Sequence, residues 1–253
     1  MSNQPIDVVM TATLRPEIIR LTLHSFHARF LSGFKSARLI INIDPIGDTD
    51  CSADDILDIC RVYFKDIVYR TPAEPSFAGA VKWCWEQVDT EYFLHLEDDW
   101  LLKKGIDFDR ALQLFAADRE LASVRFNLSH NPRNGDLYTG GLGLNPSIIR
   151  KRFVEEALPS FVLGLDPEKQ LKPALGYHPG LSHWRHILYG SAGESSYVID
   201  IGKTWRKSKL FDKWDPSAPP SWRKNISTPA PRLLWLKVKH NIYYMYLRAL
   251  AGA

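Results

Sequence analysis

The chain has 253 residues, of which 45% are apolar, and its formal net charge at neutral pH is +3. This length and apolar content suit one large α/β domain, and so small a charge does not by itself indicate a nucleic-acid-binding protein. The three cysteines lack a C-x-x-C spacing, so they indicate neither a disulfide framework nor a cysteine zinc site and favour a reducing compartment. Because we find no signal-peptide pattern and no run of about 18 apolar residues, we expect a cytoplasmic protein without a membrane span.

Strands and helices alternate through the first hundred residues. The predicted order is strand 6–13, helix 15–30, strand 37–45, helix 53–64, strand 66–70, helix 76–88 and strand 91–96. Such alternation predicts a mostly parallel sheet with helices on both faces, whose ligands bind beyond the carboxyl ends of the strands. We expect Thr11, Asp44 and the acidic residues 97–99 on that edge.

The second part of the chain is predicted to be less regular. A helix is expected at 107–118, a strand at 122–128, and a further helix from about 146, with Asn145 as N-cap and Pro146 in its first position. From 203 to 239 there are ten Lys and Arg against two Asp, with aromatic residues between them. We therefore divide the chain into a main domain, 1–202, and a basic, aromatic-rich extension, 203–253, that packs on it.

Three consecutive carboxylates, Glu97, Asp98 and Asp99, end the apolar segment "EYFLHL". Their mutual repulsion permits two interpretations. One is a solvated turn at the end of a strand. The other is a site for a hard divalent cation, which cancels like charges and prefers carboxylate oxygens.

This acidic motif, about a hundred residues after a start of strand, Thr-x-Thr, x-Arg-Pro and helix, resembles that of nucleotide-sugar glycosyltransferases of the GT-A fold, in particular family-2-like members, over residues 6–205. The resemblance implies a D-x-D-type site for Mn²⁺ or Mg²⁺ that bridges the diphosphate of the donor, with a UDP-sugar favoured. It implies that Asp99 is the direct metal ligand, with Glu97 and Asp98 nearer the ribose and the sugar. Asp200 stands where many members have a histidine ligand, and a carboxylate is an equally suitable donor for a hard metal.

The resemblance also implies contacts to the nucleotide. The loop "TATLRP" is similar to the first-strand loop that holds the base, which makes Thr11, Thr13 and Arg15 candidates, although the same residues also suit a capped helix start. Asp44 resembles the carboxylate that accepts a hydrogen bond from uracil or ribose, and it also suits an ordinary turn. Lys82 is the remaining candidate for a phosphate contact.

An inverting transferase needs a carboxylate that takes the proton of the acceptor hydroxyl. The segment "GGLGLNPSIIRKRF" resembles the glycine-rich loop and helix at the donor sugar, and "LDPEKQ" resembles the acidic helix start that follows, so Glu168 is our first candidate. A Glu after Pro in a first helical turn is also a routine helix-start preference. Glu194, in the small-residue loop "GSAGESS", is the alternative.

The resemblance implies a metal-dependent, inverting glycosyltransferase that acts on a hydroxyl of a glycan, a lipid-linked glycan or, as in some phage-type transferases of this fold, a hydroxymethylated DNA base. The alternative is a non-catalytic module that binds a nucleotide sugar or a polyanion. A nucleotidyltransferase is less consistent, because "TATLRPE" lacks the glycine-rich phosphate loop of that class. Residues 203–240 are compatible with an anionic membrane surface, a nucleic acid or a solvated tail. The segment 232–250 shows no clean amphipathic face in its sequence and suits a packing helix as well as a membrane one.

Overall fold

The computed structural model describes residues 2–128, 135–139, 141–213, 222–224 and 230–252. Its strands are β1 (Ser2–Leu14), β2 (Phe34–Gly47), β3 (Asp66–Arg70), β4 (Tyr92–Glu97), β5 (Trp100–Leu102), β6 (Leu121–Phe126), β7 (Leu137–Tyr138), β8 (Ser147–Arg150), β9 (Arg185–Tyr189), β10 (Val198–Asp200), β11 (Phe211–Lys213) and β12 (Trp222–Lys224). Its α-helices are α1 (Pro16–Arg29), α2 (Ala53–Arg61), α3 (Phe77–Glu86), α4 (Phe108–Ala117), α5 (Lys151–Ala157), α6 (Pro167–Gln170), α7 (Gly202–Ser208) and α8 (Ala230–Ala251).

The main sheet has the strand order β3-β2-β1-β4-β8-β6-β9-β7. Its first four strands run parallel to one another, β8 is antiparallel to both of its neighbours, and β6 is parallel to β9. The mostly parallel α/β sheet predicted from the sequence is therefore confirmed. The short strands β5 and β10 form a separate antiparallel pair beside the end of β4.

Apolar side chains cover both faces of the sheet. Residues of α1, α2 and α4, such as Phe26, Ile56 and Phe115, bury one face, and residues of α3 and α5, such as Trp85 and Phe153, bury the other. Helices on both faces leave the ends of the strands as the place where polar side chains can gather.

The helix predicted from about 146 is wrong in its first turn. Residues Ser147–Arg150 form strand β8, which lies between β4 and β6, and α5 begins only at Lys151. Ile148 and Ile149 are fully buried on opposite faces of the sheet. Burial on both faces overrides the local helix-start signal of Asn145 and Pro146, because two β-branched residues fill a central strand well.

The last helix, α8, packs against α1 and α7. Leu247 and Ala251 are buried there with Trp205, in a cluster separate from the two faces of the main sheet. Lys209, in the basic segment, pairs with Asp48 (Nζ to Oδ2, 2.9 Å) and Glu17, so its charge is compensated by residues distant in sequence. Within the part of the chain that the structure describes, no helix has both the length and the apolar character needed to cross a bilayer. The position of the boundary at 202 stays a prediction.

Candidate active site

The carboxyl ends of β1, β2 and β4 bring together the residues predicted there. Thr11 is in register with Asn42 on one side and with Glu97 on the other, and Thr13 is in register with Asp44. The expectation that Thr11, Asp44 and the acidic motif share one edge of the sheet is confirmed.

Asp98 joins the end of β4 to the loop between β1 and α1. Its Oδ2 accepts hydrogen bonds from the backbone N–H of Thr13 (3.0 Å), the hydroxyl of Thr13 (3.3 Å) and Nε of Arg15 (3.2 Å). Its backbone N–H donates to the carbonyl of Thr11 (3.1 Å), and its own carbonyl accepts from the Thr22 hydroxyl (2.7 Å). With 1% of its surface exposed, Asp98 is a buried support of this loop.

Arg15 relieves part of the repulsion within the acidic motif. Its guanidinium pairs with Asp98 through Nη2 and with Asp99 through Nη1 (3.0 Å), and it lies over the ring of Trp205 at 5.7 Å. Burial lowers the pKa of Arg15, but the two carboxylates raise it by more, so the group is a permanent cation. At Asp98, burial and the neighbouring Asp99 raise the pKa by more than Arg15 and the N–H of Thr13 lower it. One buried cation therefore pairs with two of the three carboxyl groups of the motif.

Asp99 differs from Asp98 in its exposure. Its side chain is 22% exposed, against 2% for that of Asp98. The antiparallel pair of β5 and β10 brings Asp200 opposite Trp100, and the N–H of Ile201 donates to the carbonyl of Asp99 (2.9 Å). Asp200 itself accepts from the N–H of Gly202 through Oδ1 (3.0 Å). The two predicted metal ligands, a hundred residues apart in sequence, therefore lie on adjoining backbone segments.

Glu97 and Glu168 interact electrostatically, and each is held by a hydrogen bond from another part of the chain. Nε1 of Trp100 donates to Oε2 of Glu97 (2.9 Å), whereas Oε1 of Glu168 accepts from the backbone N–H of Leu144 (2.8 Å), the last residue of the glycine-rich loop. The pKa of Glu97 is raised well above its usual range by burial, then by Asp99, and also by Glu168. Glu168 therefore adds to the negative field at Glu97, while the N–H of Leu144 holds it at the glycine-rich loop.

Glu194 holds its own loop. It accepts hydrogen bonds from the N–H of Ser191 (3.0 Å), the hydroxyl of Tyr197 (2.8 Å) and Nζ of Lys104 (3.1 Å). These bonds, led by the one from Ser191, lower its pKa to about 2. A carboxylate with so low a pKa is a weak base at neutral pH.

Asp44 belongs to a buried polar network under the same edge. Its Oδ1 accepts from Nδ2 of Asn42 (2.7 Å) and its Oδ2 from the N–H of Ser76 (3.2 Å), while Nε of Arg70 donates to Asn42 (2.7 Å). Burial is the main cause that raises the pKa of Asp44. The structure thus gives both carboxylate oxygens partners within the protein.

Lys82, the predicted phosphate contact, lies on α3. Its ammonium pairs with Glu86 one turn later (3.0 Å) and donates to the carbonyl of Leu158 (3.5 Å). These partners lie apart from the acidic motif. Two tryptophans that sequence reasoning missed do contact the motif and its arginine, namely Trp100 and Trp205. Trp100 follows the acidic motif directly, which is the one signal that would have found it.

Among the described residues, no three His, Cys, Asp or Glu side chains are arranged as a ready-made metal site. Mg²⁺ and similar hard cations in nucleotide-dependent enzymes are bound by one or two carboxylates, with phosphates and water as the other ligands. Asp99, part-exposed beside Asp200, fits that donor set. A cavity of about 410 Å³ lies elsewhere, between α1 and α2, and is lined by Arg20, Asp55 and Asp58 among others. It contains no residue of the acidic motif.

No protein-family model matches the sequence, and no curated protein matches it. Solved structures do match its fold. A mannosyltransferase from Pyrobaculum calidifontis, PcManGT, solved with GDP-Man and Mn²⁺, is 10% identical over 98% of this chain and 72% of its own, with a TM-score of 0.56. S. aureus TarS is 10% identical over 77% of this chain and 36% of its own, with a TM-score of 0.51, and its 1–349 fragment is matched over 81% and 64%, with a TM-score of 0.50.

The chain thus spans less than two thirds of either TarS structure and about three quarters of the mannosyltransferase. At this low identity the likeness concerns the fold. The mostly parallel central sheet with helices on both faces agrees with it. The chain has a GT-A-like α/β fold, which it shares with these solved glycosyltransferase structures.

Proposed function

We propose that this protein is a metal-dependent, inverting glycosyltransferase, which moves a sugar from a nucleotide-diphosphate sugar to a hydroxyl acceptor. The observation that carries the proposal is the position of the acidic motif 97–99 at the carboxyl edge of a GT-A-like sheet, with Glu168 held by the N–H of Leu144 at the end of the glycine-rich loop. The reaction needs two kinds of group: one that neutralises the charge on the leaving diphosphate, and one that removes the proton of the acceptor hydroxyl. The site offers a group for each.

The diphosphate end is assigned to Asp99 and Asp200. Together with the phosphates of the donor they would hold Mn²⁺ or Mg²⁺, which supplies neutralisation of the charge that develops on the leaving diphosphate. The solved structure of the mannosyltransferase, which contains GDP-Man and Mn²⁺, supports this chemistry for the fold. Arg15, next to Asp99, keeps the carboxylate in position by its hydrogen bond.

The acceptor end is assigned to Glu168. In the proposed reaction the acceptor oxygen attacks the anomeric carbon, the bond from that carbon to the diphosphate oxygen breaks, and the hydroxyl proton passes to Glu168. The nucleotide diphosphate leaves with the bonding electrons, and attack from the opposite side inverts the anomeric centre. The N–H of Leu144 holds one oxygen of Glu168 and leaves the other for the proton.

The nucleotide end is assigned to the loop of Thr11 and Thr13. Both residues lie at the carboxyl end of β1, and Asp98 fixes the loop from beneath. In this proposal Arg15 supports the loop through Asp98, and both Arg15 and Asp44 border the nucleotide. Which base the loop prefers is tested with the donor panel below; a UDP-sugar is our expectation.

The test is a panel of UDP- and GDP-sugars, each with Mn²⁺, with Mg²⁺ and with a chelator, scored for donor binding by calorimetry and for donor hydrolysis or transfer. We expect one nucleotide class to bind, and its turnover to require the cation. Failure of every donor to bind with Mn²⁺ present would overturn the proposal. Turnover that the chelator leaves unchanged would remove the metal from it.

One observation favours the second candidate, a non-catalytic nucleotide-sugar-binding module. Arg15 already neutralises part of the charge of Asp98 and Asp99, as a cation would. A module of this kind would bind a nucleotide diphosphate without turnover in any metal. Binding of the donor with no hydrolysis or transfer across the whole panel would decide for this candidate.

A further inference from the structure

Helix α8 has a packed side and an exposed apolar side. On the packed side, Leu247 and Ala251 are buried against α1 and α7, and Tyr243, Tyr244 and Leu250 lie at the border of that cluster. On the exposed side, six apolar residues recur at spacings of one, three or four positions, and each has between 49% and 70% of its surface exposed. They are Leu234, Trp235, Val238, Ile242, Met245 and Tyr246. We call these six residues the outer face of α8.

The outer face and the packed side point in opposite directions. An α-helix turns by about 100° per residue, so residues 238, 242 and 245 project roughly opposite to 240, 247 and 251. Polar contacts hold the packed side in place: Nε2 of His240 lies 3.2 Å from Oε2 of Glu17, and Arg29 donates to the carbonyls of Leu250 (2.9 Å) and Ala251 (2.8 Å). A docked helix of this kind presents its outer face outward as a fixed, elongated apolar surface.

Basic residues border the outer face on both sides. Lys237 and Arg248 project on one side of it, Arg232 and Lys239 on the other, and all four are exposed. Residues 230–252 contain no Asp or Glu. Lys239 holds its ammonium 5.0 Å from the ring of Trp235, so an aromatic residue and a cation stand together at the border.

We propose that the outer face of α8 docks in the interface of an anionic lipid membrane, with its six apolar residues among the acyl chains and its basic border at the headgroups. An in-plane helix is recognised by an apolar face, Lys and Arg beside it, and Trp or Tyr at the border. α8 has all three features. The charges match anionic headgroups, and each nearby Lys or Arg strengthens the attraction.

Other occupants suit the outer face less well. A nucleic acid is bound mainly by phosphate contacts to Lys and Arg, which leaves six exposed apolar side chains without a role. A second copy of the chain would bring two basic borders together, and like charges repel. An anionic lipid surface satisfies the apolar residues and the charges at once.

Docking in this way would place the candidate site behind α8, separated from the membrane by the helix diameter of about 10 Å. Glu17, which contacts His240 and Tyr244 of α8, is two residues from Arg15, the partner of Asp98 and Asp99. This step alone rests on the proposed function: if that function holds, the acceptor hydroxyl belongs to a lipid-linked sugar. The docking itself depends only on α8.

The experiment is co-sedimentation of the full chain with vesicles, without donor or metal. One set of vesicles is phosphatidylcholine alone, and the other is an equal mixture of phosphatidylcholine and phosphatidylglycerol. We expect sedimentation with the mixed vesicles, weakened by high salt because exposed charges are screened. The triple variant Trp235→Ser, Ile242→Asn and Met245→Gln should reduce the bound fraction by roughly tenfold or more, because apolar burial drives insertion.

Two matched variants sharpen the test. Lys237→Gln with Lys239→Gln should reduce binding to the mixed vesicles by about tenfold and hardly affect pure phosphatidylcholine. The variant Val62→Ser with Tyr69→Ser is the control for loss of apolar surface. These two side chains are about as exposed, at 70% and 53%, but they lie away from α8, so this variant should bind vesicles as the wild type does. Thermal unfolding of each variant checks that the fold is intact.

Several results would overturn the docking proposal. The first is failure of the wild type to sediment with the mixed vesicles, and the second is binding of the triple apolar variant to those vesicles. The third is a wild-type dimer in solution that dissociates in the triple apolar variant. Salt-sensitive binding to duplex DNA in place of vesicles would also overturn it. Because donor binding is measured separately by calorimetry, loss of the proposed function and loss of membrane docking give different patterns.

Discussion

At the scale of single residues, the three adjacent carboxyl groups occupy three different environments. Asp98 is buried and bonded to the β1–α1 loop, Asp99 is partly exposed, and Glu97 interacts electrostatically with Glu168. The three environments differ because β4 ends here: the chain leaves the sheet, and successive side chains point in different directions. One motif can therefore contain a structural residue and a ligand side by side.

The first prediction separates Asp98 from Asp99. Asp98→Asn should destabilise the fold by about 3 kcal/mol, because it removes one partner of a buried ion pair. Asp99→Asn should leave the melting temperature nearly unchanged and abolish turnover in Mn²⁺, because a neutral amide is a weaker ligand for a hard cation. Chemical denaturation and the donor assay measure the two effects. Equal loss of stability in both variants would contradict the division.

The second prediction concerns proton removal. Glu168→Gln should slow the chemical step by about 10²-fold or more with donor affinity nearly unchanged, because an amide cannot take the proton. Gln keeps a carbonyl oxygen for the N–H of Leu144, so the loop should remain in place. Single-turnover kinetics with calorimetry would show this split.

Glu194→Gln is the matched control for the base. It should affect stability more than rate, because Glu194 ties Ser191, Tyr197 and Lys104 together. If the rate falls with Glu194→Gln and survives Glu168→Gln, the two assignments exchange.

At the scale of elements, the sequence predicted the first four strands and the helices between them. Apolar periodicity and clear end signals are strong there, and β3 agrees with the predicted strand 66–70 to the residue. The prediction failed at 146–150, where pairing with β4 and β6 outweighs local helix signals. Periodicity of a single segment does not report which strands will pair with it.

The site was predictable in its position and less so in its contacts. The carboxyl edge follows from the alternation of strands and helices, which placed Thr11, Asp44 and the acidic motif correctly. That Arg15 turns towards Asp98 rather than outward follows from its burial beside Trp205, a residue 190 positions later in a short helix. A contact over that sequence distance leaves no local pattern.

The third prediction tests how α7 meets the acidic motif. A Cβ at Gly202 would clash with the carboxylate of Asp99 and with Nη1 of Arg15. Gly202→Ala should therefore displace Asp99, raise the Mn²⁺ concentration needed for turnover several-fold and lower the melting temperature. Gly164→Ala is the control, because a Cβ there meets no atom within 4 Å. Identical metal titrations for the two variants would show that α7 does not constrain Asp99.

At the scale of the whole molecule, the two ends of the parallel strands have different roles. The carboxyl ends carry the candidate site, whereas the amino end of β1 carries a buried ion pair that joins distant segments. Asp7, 3% exposed, accepts from Nε and Nη2 of Arg38 on β2 (2.8 and 2.9 Å) and from the N–H groups of Asp89 and Thr90 before β4. This pair contributes to stability without touching the site.

The fourth prediction uses the pH dependence of this pair. Burial raises the pKa of Asp7, but the hydrogen bonds from Arg38, Thr90 and Asp89 lower it by more, so its folded pKa lies below the ordinary value. A depressed carboxyl pKa adds stability above the unfolded pKa of about 3.9, and that stability is lost as the pH falls through the folded value. Asp7→Asn should therefore lower the free energy of unfolding by about 3 kcal/mol at neutral pH, and the difference from wild type should shrink towards acid.

Asp89→Asn is the matched control. The side chain of Asp89 also pairs with Arg38 but is 77% exposed, so this variant should cost under about 1 kcal/mol. Denaturant unfolding of the three proteins from pH 7 down to about pH 3 measures these differences, and a gap between wild type and Asp7→Asn that stays constant over that range would exclude this linkage.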